Sequence, residues 1–567
     1  MTTGAAGPAR RGRRLSLLTA VACLALLLAL ALPLFLCMPL TPDATLYDLC
    51  VRNLQRGGVH YRDVFDTNLP GMVWLHLLAR SAFGWSSESL RAVDFCVVSA
   101  SVWLLAWWAP GPRSLAGRVW TAVALYAFYF STSEVCHCQR DGWMLLPALV
   151  SLWLRRRQVG RLAAAPAPWG GVLGMAALEG ACWGAAVWVK PFVLLPALAA
   201  WLAGAWLLAR SPGRSIRLLA ADGLGLLAGG LAAGALGVAW LKASGAWPYF
   251  LDILLDWNRE YYRGRDVVGH LKKLPGYLWP WGLMHVAAVP VAAFRLVAAL
   301  AARRGAGLPP GWRQALLAAL YLGWLGQVVG FQYGFYYQHV PAMLLALAVL
   351  AGGPPAAGRL PVRRLAALGW LAVACFAALA AWHHPVLRRD RVAVWGRCLR
   401  EGSTPELRDR LALTIYVEWS DLERVADYLR GQDLADGELT CADWRVNSLY
   451  LELNVAPSTR YIYLNVMYIF FPRHFADVQD ALAGTRQRYL VADLCLGGLT
   501  PAQAREERPG RPLALPPAFG PDSARLFPFS EPMVFRAGRY AVYRIDHPGR
   551  RFYEKVSEAA PGVAKPE

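Results

Sequence analysis

Charged residues are scarce in this chain, and the acidic ones are the scarcest. Only 17% of the 567 residues are charged and 56% are hydrophobic, whereas an ordinary soluble chain carries about 25% charge. The mean hydropathy is +0.32. This composition excludes the roughly four soluble domains that the length alone suggests. It predicts a membrane protein with a soluble part attached.

Several signatures of soluble enzymes and metal proteins are also missing. The chain shows no internal repeat or coiled coil, and its last third has no nucleophile elbow, glycine-rich phosphate loop or dinucleotide fingerprint. The triplet Cys136, His137 and Cys138 has no spaced partners that would complete a four-ligand zinc site. We therefore assign no metal-binding residue from the sequence and no chemistry to the C-terminal part.

Long apolar runs are abundant instead. A spanning helix needs about 20 mostly apolar residues. About eleven segments approach this pattern, at residues 15–39, 91–110, 119–135, 142–154, 168–189, 192–209, 218–240, 276–300, 314–333, 340–353 and 365–382. The predicted fold class is therefore mainly α, a polytopic transmembrane helical bundle of about eleven spans.

Basic residues outnumber acidic ones by 58 to 38, which in a soluble protein would suggest nucleic acid as a partner. The arginines lie instead in every second connection between apolar segments. They are Arg10, Arg11, Arg13, Arg14, Arg113, Arg118, Arg155, Arg156, Arg157, Arg161, Arg210, Arg214, Arg217, Arg303, Arg304, Arg313, Arg359, Arg363 and Arg364. The positive-inside rule then places the N-terminus in the cytoplasm. We expect no nucleic-acid partner and, with an odd number of spans, an extracytoplasmic C-terminus.

Three segments are predicted to face outward: a first loop at about 40–90, a second at about 241–275, and the chain after 382. The first contains Gly71–Phe83, which is apolar but too short to span and suits an interfacial helix. Residues 383–567 alternate short apolar runs with helical stretches, which favours a small α/β domain. The predicted domains are thus 1–382 in the membrane and 383–567 outside.

Charged side chains gather in the first outward loop. The carboxylates are Asp43, Asp48, Asp63 and Asp66, and the arginines are Arg52, Arg56, Arg62 and Arg91. Carboxylates beside an apolar surface are desolvated and become suited to general-base work, and arginines hold phosphate bidentately. The alternative is an ordinary solvated loop whose charges pair with one another.

The order of residues in this loop resembles the first external loop of C-type (GT-C) membrane glycosyltransferases. These include protein O-mannosyltransferases, the aminoarabinose transferase of lipid A and rhizobial lipopolysaccharide sugar transferases. The matching residues are Asp43, Tyr47, Gly57, Gly58, Tyr61, Arg62, Asp63, Asp66, Pro70, Gly71, Phe83, Gly84 and Arg91, followed by Gln139, Arg140, Asp141, Lys190, Pro191, Tyr336, Tyr337, Gln338 and His339. The resemblance extends over most of residues 15–382.

This resemblance implies an enzyme that takes sugar from a polyprenyl phosphate at the outer face of the cytoplasmic membrane. Asp43 would be the general base, with inversion at the anomeric carbon, and Asp141 the second acidic residue. The implied substrate-binding residues are Asp48, Tyr61, Arg62, Asp63, Arg91, Arg140, Lys190, Arg259, Tyr262 and His339. The acceptor would be a lipid, glycan or protein of the cell envelope, as in lipopolysaccharide or protein glycosylation.

One position departs from the family. Many relatives carry Lys-Pro-Pro or His-Pro-Pro where this chain has Asn68, Leu69, Pro70 and Gly71. The lysine that would meet the donor phosphate is therefore missing. Its substitute is left open among Lys190, Arg91, Arg140 and Arg259.

Each of the principal residues also has a structural interpretation. Asp43 and Asp141 suit helix N-caps, Lys190 suits snorkelling to the interface, and His339 suits a structural hydrogen bond. No cofactor is assigned, although the external carboxylates leave a divalent cation open. The competing functions are a transporter or flippase of lipid-linked saccharide, and a non-catalytic envelope assembly protein.

Overall fold

The computed structural model describes residues 8–108, 115–164, 168–210, 216–261, 267–302, 307–332, 334–352, 362–414, 417–497 and 526–554. These residues are mainly helical, which confirms the predicted fold class. They form two compact units. The helical unit comprises Met1–Thr41, Asn68–Trp240 and Gly264–Ile415, and the mixed unit comprises Pro42–Thr67, Leu241–Arg263 and Tyr416–Glu567.

The helical unit contains most of the long helices. They are α1 (Pro8–Cys37), α3 (Gly71–Phe83), α4 (Ser87–Trp108), α5 (Leu115–Ser131), α6 (Arg140–Ala164), α7 (Trp169–Val189), α8 (Leu194–Ala209), α9 (Ile216–Ala243, whose last three residues belong to the mixed unit), α12 (Val267–Lys273), α13 (Met284–Ala301), α14 (Trp312–Phe331), α15 (Val340–Ala351), α16 (Val362–Trp382), α17 (Arg389–Glu401) and α18 (Pro405–Leu411). Each predicted apolar segment coincides with one of these helices, and the predicted interfacial helix is α3.

Seven of the described helices are long and apolar enough to cross a membrane. They contain the segments Arg14–Cys37, Ser87–Trp108, Trp169–Val189, Pro191–Ala209, Ile216–Ala243, Trp281–Ala301 and Trp312–Phe331. The other four predicted spans correspond to α5, α6, α15 and α16, which do not meet both criteria within the described residues. The count of eleven spans therefore stays a prediction.

Helices α7 and α9 approach each other through glycines. A Cβ added at Gly180 would overlap the carbonyl oxygen of Leu226, and one at Gly229 would overlap that of Ala177. Small residues four apart let two apolar helices bring their backbones together, which gains van der Waals contact. The glycines thus set the distance at which polar side chains of α7 and α9 meet.

The structure corrects the interpretation of Arg155 as an exposed cytoplasmic loop residue. Helix α6 continues to Ala164, and Arg155 is fully buried within it. Its guanidinium forms ion pairs with Glu179 of α7 at 2.8 Å and with Asp222 of α9 at 2.6 Å. The buried carboxylate of Glu179 is thereby compensated.

Helices α17 and α18 belong to the helical unit although they follow residue 382. Trp395 donates from its indole nitrogen to the carbonyl of Ala29 at 3.1 Å, and the Ser403 hydroxyl donates to the carbonyl of Cys37 at 3.1 Å. Both carbonyls lie in the second half of α1. The division between the compact units falls near residue 415, whereas the sequence suggested 382, because α17 and α18 pack on α1.

The mixed unit contains one small sheet and several short helices. Its elements are α2 (Pro42–Gln55), α10 (Trp247–Asp252), α11 (Asn258–Tyr261), α19 (Trp419–Arg430), α20 (Ser448–Glu452), α21 (Leu464–Phe470), α22 (Phe475–Ala483), β1 (Leu439–Cys441), β2 (Tyr489–Asp493), β3 (Met533–Ala537) and β4 (Tyr540–Arg544). The strand order is β1-β2-β4-β3. Strand β2 is buried throughout, pairs parallel with β1 and antiparallel with β4, and so is the central apolar strand.

Candidate active site

A buried lysine is the centre of the polar cluster in the helical unit. The ammonium of Lys190 donates to both carboxylate oxygens of Asp141 at 2.8 Å and to Oε1 of Gln332 at 2.5 Å. The amide nitrogen of Gln332 in turn donates to Oε1 of Gln327 at 2.9 Å. All four side chains are buried. Two predicted site residues, Asp141 and Lys190, are thus in direct contact.

The local sequence explains why this pair forms at helix ends. Pro191 disfavours helical backbone at the preceding residue, so α7 ends at Val189 and Lys190 is extended, with φ −160° and ψ 120°. Asp141 lies in the first turn of α6, where the helix dipole favours a negative charge. The ion pair therefore joins the end of one helix to the start of another. This ion pair differs from the two structural interpretations made from the sequence, in which Lys190 snorkels to the interface and Asp141 only caps a helix.

Arg140 lies beside this pair and contacts the first outward loop at its end. Its guanidinium donates to the side-chain oxygen of Asn68. Asn68 is the position at which the resembled family carries lysine or histidine. Three residues later, Gly71 lies so close to the end of α7 that an added Cβ would overlap the backbone of Trp188. Helix α3 and the start of α6 are thereby brought together around Asn68.

The side chain of Arg91 binds backbone carbonyl groups just after the end of α1. Its fully buried guanidinium donates to the carbonyls of Met38, at 2.7 Å, and Pro39, and contacts Nδ1 of His137 at 3.2 Å. These contacts fix the turn that follows α1. Its assignment as a substrate-binding residue stays a prediction.

His339 lies at the start of α15 in a pair of histidines. Its Nε2 is 3.0 Å from Nε2 of His270, and its ring stacks on Tyr277 with centroids 4.2 Å apart. Lys190 lies near the same short segment, with its ammonium 6.0 Å from the ring centroid of Tyr337. The segment Tyr336–His339 therefore links the histidine pair to the lysine cluster.

In the mixed unit, α2 carries Asp43 in its first turn. Positions 43, 47 and 50 follow at helical spacing, so Asp43, Tyr47 and Cys50 share one face of α2. Tyr463 lies against this face: its hydroxyl donates to the carbonyl of Pro42 at 2.7 Å. Burial, followed by the charges of Asp43 and Tyr47, raises the pKa of Tyr463 well above its usual value. Tyr463 is a candidate site residue that sequence reasoning missed.

Asp48 points away from solvent in the same helix and is 1% exposed. Tyr61 is also fully buried, with a positive φ of 67° and its ring 5.7 Å from that of Phe250. Both belong to the core of the mixed unit. Their predicted substrate contacts stay untested.

Arg62 and Asp63 pair with each other in an exposed loop. The guanidinium donates to the two carboxylate oxygens at 2.6 and 2.9 Å. Partial burial opposes ionisation, but hydrogen bonds from Arg62 and the amide of Val59 outweigh it and lower the pKa of Asp63. This is the mutual pairing expected of a solvated loop, and Asp63 is kept ionised.

The second outward loop contributes an acidic pair that sequence reasoning missed. His474 contacts Glu260 at 2.9 Å and Asp256 at 3.0 Å, and stacks on Trp257. Its burial opposes protonation, but these two carboxylates raise the pKa of His474 overall. The neighbouring Arg259 is exposed. The last predicted residue, Tyr262, lies outside the described residues.

The described residues thus define a mainly helical chain with seven helices suited to a membrane and a buried lysine–aspartate pair between two helix ends. No protein-family model and no curated protein matches the chain. Among solved structures, it is similar to ArnT from Cupriavidus metallidurans bound to undecaprenyl phosphate, with 15% identity, coverage of 92% of this chain and 97% of that chain, and a TM-score of 0.49. It is also similar to the archaeal oligosaccharyltransferase AglB from Archaeoglobus fulgidus in complex with an inhibitory peptide and a dolichol-phosphate, with 11% identity, coverage of 83% and 69%, and a TM-score of 0.42.

Proposed function

We propose that this chain is a membrane glycosyltransferase that moves a sugar from a polyprenyl-phosphate donor to a lipid, glycan or protein acceptor at the outer face of the membrane. The observation that carries the proposal is the hydrogen bond from Arg140 to Asn68. It brings a guanidinium to the position where the resembled family has its phosphate-binding lysine. The motif order of the first loop supplies the rest of the argument.

Among the four cations left open, Arg140 fits the donor phosphate best. The charge of Lys190 is offset by a bidentate carboxylate from Asp141, and Arg91 is directed at backbone carbonyls. Arg140, by contrast, donates to the side-chain oxygen of Asn68, the position at which the resembled family carries its lysine. A planar guanidinium also binds two phosphate oxygens at once. In this proposal Lys190 and Asp141 orient the start of α6, which carries Arg140.

The proposed reaction is a direct displacement. Asp43 takes the proton of the acceptor hydroxyl, whose oxygen forms a bond to the anomeric carbon as the bond from that carbon to the phosphate oxygen breaks. The polyprenyl phosphate leaves with the electron pair, and the anomeric configuration inverts. Because negative charge builds up on the leaving phosphate, Arg140 would stabilise the transition state more than the ground state.

The proposal is tested in cells that lack the gene, complemented with wild type, Asp43→Asn or Asp390→Asn. Asp390 is the matched control, since it too lies in a first helical turn, that of α17. Mass spectrometry would measure the surface glycans and the polyprenyl-linked sugars. We expect Asp43→Asn alone to lose one sugar from the glycans while the lipid-linked form accumulates. Full restoration by Asp43→Asn, with the protein in the membrane, would refute its role as base.

Arg140 is tested by kinetics with the lipid-linked sugar that accumulates. Arg140→Gln should lower kcat by about 10²–10³-fold, the usual cost of one group that stabilises developing charge. Arg140→Lys should recover part of that loss, because it restores the charge without the planar fork. Equal activity in all three proteins would show that another group binds the phosphate.

A transporter of lipid-linked saccharide is the second candidate. The observation in its favour is the buried cluster of Arg155, Glu179 and Asp222 within the helices, because ionisable groups inside membrane helices often mark a transport path. The glycan experiment distinguishes the two. A transporter would need Glu179 for sugar to appear outside but would not need Asp43 for transfer.

A further inference from the structure

Three metal-ligand side chains meet in the mixed unit, apart from the residues proposed for transfer. Cys50 in α2, His60 in the following loop and Asp66 near the loop's end each offer one ligand atom, and these atoms lie within 4.8 Å of one another. Nε2 of His60 is 4.0 Å from Oδ2 of Asp66. The three residues are at most 1% exposed. Their spacings of ten and six residues match no metal motif, so sequence analysis did not assign them.

The imidazole of His60 is the unusual member. Neither of its ring nitrogens has a hydrogen-bond partner among the described residues, although the side chain is fully buried. A buried polar group without a partner is unfavourable, because it has lost its hydrogen bonds to water. One face of the ring packs on Tyr61, with centroids 3.8 Å apart. A bound cation would supply a partner to one of these two ring nitrogens.

The surrounding loop holds His60 in place. The carboxylate of Asp63 accepts from the amide of Val59 at 2.7 Å, and the amide of Asp63 donates back to the carbonyl of Val59 at 3.1 Å. Further along, the amide of Phe65 donates to the carbonyl of Arg460 at 2.9 Å. These hydrogen bonds fix the backbone on both sides of the cluster. The ligand atoms thus come from an ordered loop and an ordered helix.

The chemistry of the three side chains also suits a cation. A neutral imidazole has a lone pair to donate. A divalent cation displaces the proton of a thiol and binds the thiolate.

We propose that Cys50, His60 and Asp66 bind one zinc-type divalent cation, with a water molecule as fourth ligand. A thiolate and a carboxylate balance the two positive charges, so the complete site is neutral and suited to burial. The thiolate and imidazole favour zinc over magnesium or calcium. Tetrahedral zinc holds such ligand atoms about 3.5 Å apart, so the side chains would close by about 1 Å.

Binding at this site does not depend on the proposed transferase activity. Its expected effect is structural, because the ion would join α2 to the loop that follows it. Cys50 lies two turns from Asp43 on the same helix, so the ion would also hold the orientation of that helix. Loss of the ion should therefore lower thermal stability whatever reaction the chain catalyses.

The test is metal analysis of the full chain purified in detergent, stripped with a chelator and reloaded with zinc. We expect about one zinc per chain for wild type, measured by mass spectrometry after gel filtration. Cys50→Ser and His60→Ala should each lose more than about tenfold in affinity, since even outer partners of metal ligands are worth 10–100-fold. Cys96→Ser and His383→Ala, at an exposed cysteine and an exposed histidine, should retain the metal.

Cobalt loading of the wild type keeps the proposal testable if a variant fails to fold. A thiolate-to-cobalt charge-transfer band is expected in the near ultraviolet, and it should disappear when zinc is added in excess. Wild type that binds no zinc, or that binds cobalt without this band, would overturn the proposal. So would a full zinc complement in a folded Cys50→Ser or His60→Ala protein.

Discussion

Helix α6 carries two buried ion clusters that differ in construction. One lies in its first turn, where Asp141 binds Lys190, and the other lies about 21 Å further along, where Arg155 binds Glu179 and Asp222. Both are enclosed by helices α6 and α7. They differ in where the charges lie on the helices, at helix ends in the first cluster and inside helices in the second.

The inner cluster is built from residues inside three helices, Arg155 in α6, Glu179 in α7 and Asp222 in α9. Arg155 faces two carboxylates at once, and Gln158 donates to Asp222 at 3.2 Å while Trp183 donates to Glu179 at 3.3 Å. Every charge therefore has several partners inside the bundle. This arrangement gives α6, α7 and α9 one relative position and offers nothing to solvent.

The outer cluster is built from helix ends. Lys190 is an extended residue between two helices, and its ammonium donates to the carboxylate of Asp141 and to the neutral amide of Gln332. Arg140 follows directly on the chain. In the proposed function this cluster orients Arg140 for the donor phosphate. Four substitutions test this contrast, from the largest expected effect to the smallest.

Arg155→Met should be the most damaging change. It leaves two carboxylates buried without their cation, and breaking a buried pair costs about 3–5 kcal/mol. We expect poor recovery of folded protein, measured by gel filtration in detergent. The triple variant Arg155→Met, Glu179→Gln, Asp222→Asn removes all three charges and should recover most of the stability. Normal recovery of the single variant would show that the inner cluster is not structural.

Lys190→Met should come next, because it leaves the buried carboxylate of Asp141 without the cation that both of its oxygens contact. We expect a loss near 3 kcal/mol in the free energy of unfolding. Adding Asp141→Asn should restore most of that stability but should not restore sugar transfer. If stability and transfer return together in the double variant, the outer cluster is structural like the inner one.

Gly71→Ala should have an intermediate effect of about 1–3 kcal/mol, the usual cost of overpacking. The new methyl group would overlap the backbone at Trp188 and push α3 away from α7. Gly174→Ala in α7 is the matched control, since its methyl group would enter open space. Thermal unfolding of both proteins measures the difference. Equal melting temperatures would mean that α3 is not held against α7.

A third buried cluster lies in the mixed unit and contains Asp443 and Asp493. We expect it to give the smallest change in stability, counted per pH unit. Burial, followed by the charge of Asp493, raises the pKa of Asp443 to about 7, against about 3.9 in an unfolded chain. Between about pH 4 and pH 7, Asp443 keeps a proton in the folded chain that it has lost in the unfolded chain. The free energy of unfolding therefore falls as the pH rises through this range. The slope is at most about 1.4 kcal/mol per pH unit.

Asp443→Asn should flatten this dependence, because an amide does not titrate. Melting temperatures measured from pH 4 to 8 would show it. Asp477→Asn, at an exposed position in the first turn of α22, should leave the slope unchanged. An identical slope in wild type and Asp443→Asn would assign the pH dependence to other groups.

Sequence reasoning predicted elements whose signal is local. Apolar runs indicated eleven of the helices in the helical unit, and α3 was predicted with the bounds observed, Gly71–Phe83. It misplaced Arg155, because a charge lowers hydropathy whether or not a partner compensates it. The partner in this case, Asp222, is 67 residues away in the chain, and no periodicity records such a distance.

The candidate site was predictable only in part for the same reason. Asp141 and Lys190 were proposed singly, and their contact with each other and with Gln332 follows from the packing of helix ends. Tyr463 was missed because it is 420 residues from Asp43 in the sequence. The choice of Arg140 over the other cations required its hydrogen bond to Asn68, which only coordinates supply.

The packing of α17 and α18 against α1 bears on biosynthesis. The carbonyl groups of Ala29 and Cys37 accept hydrogen bonds from Trp395 and Ser403. At roughly 5–20 residues per second, the ribosome delivers those partners tens of seconds after the first helix has emerged. The second half of α1 therefore gains these two partners after most of the chain has been synthesised.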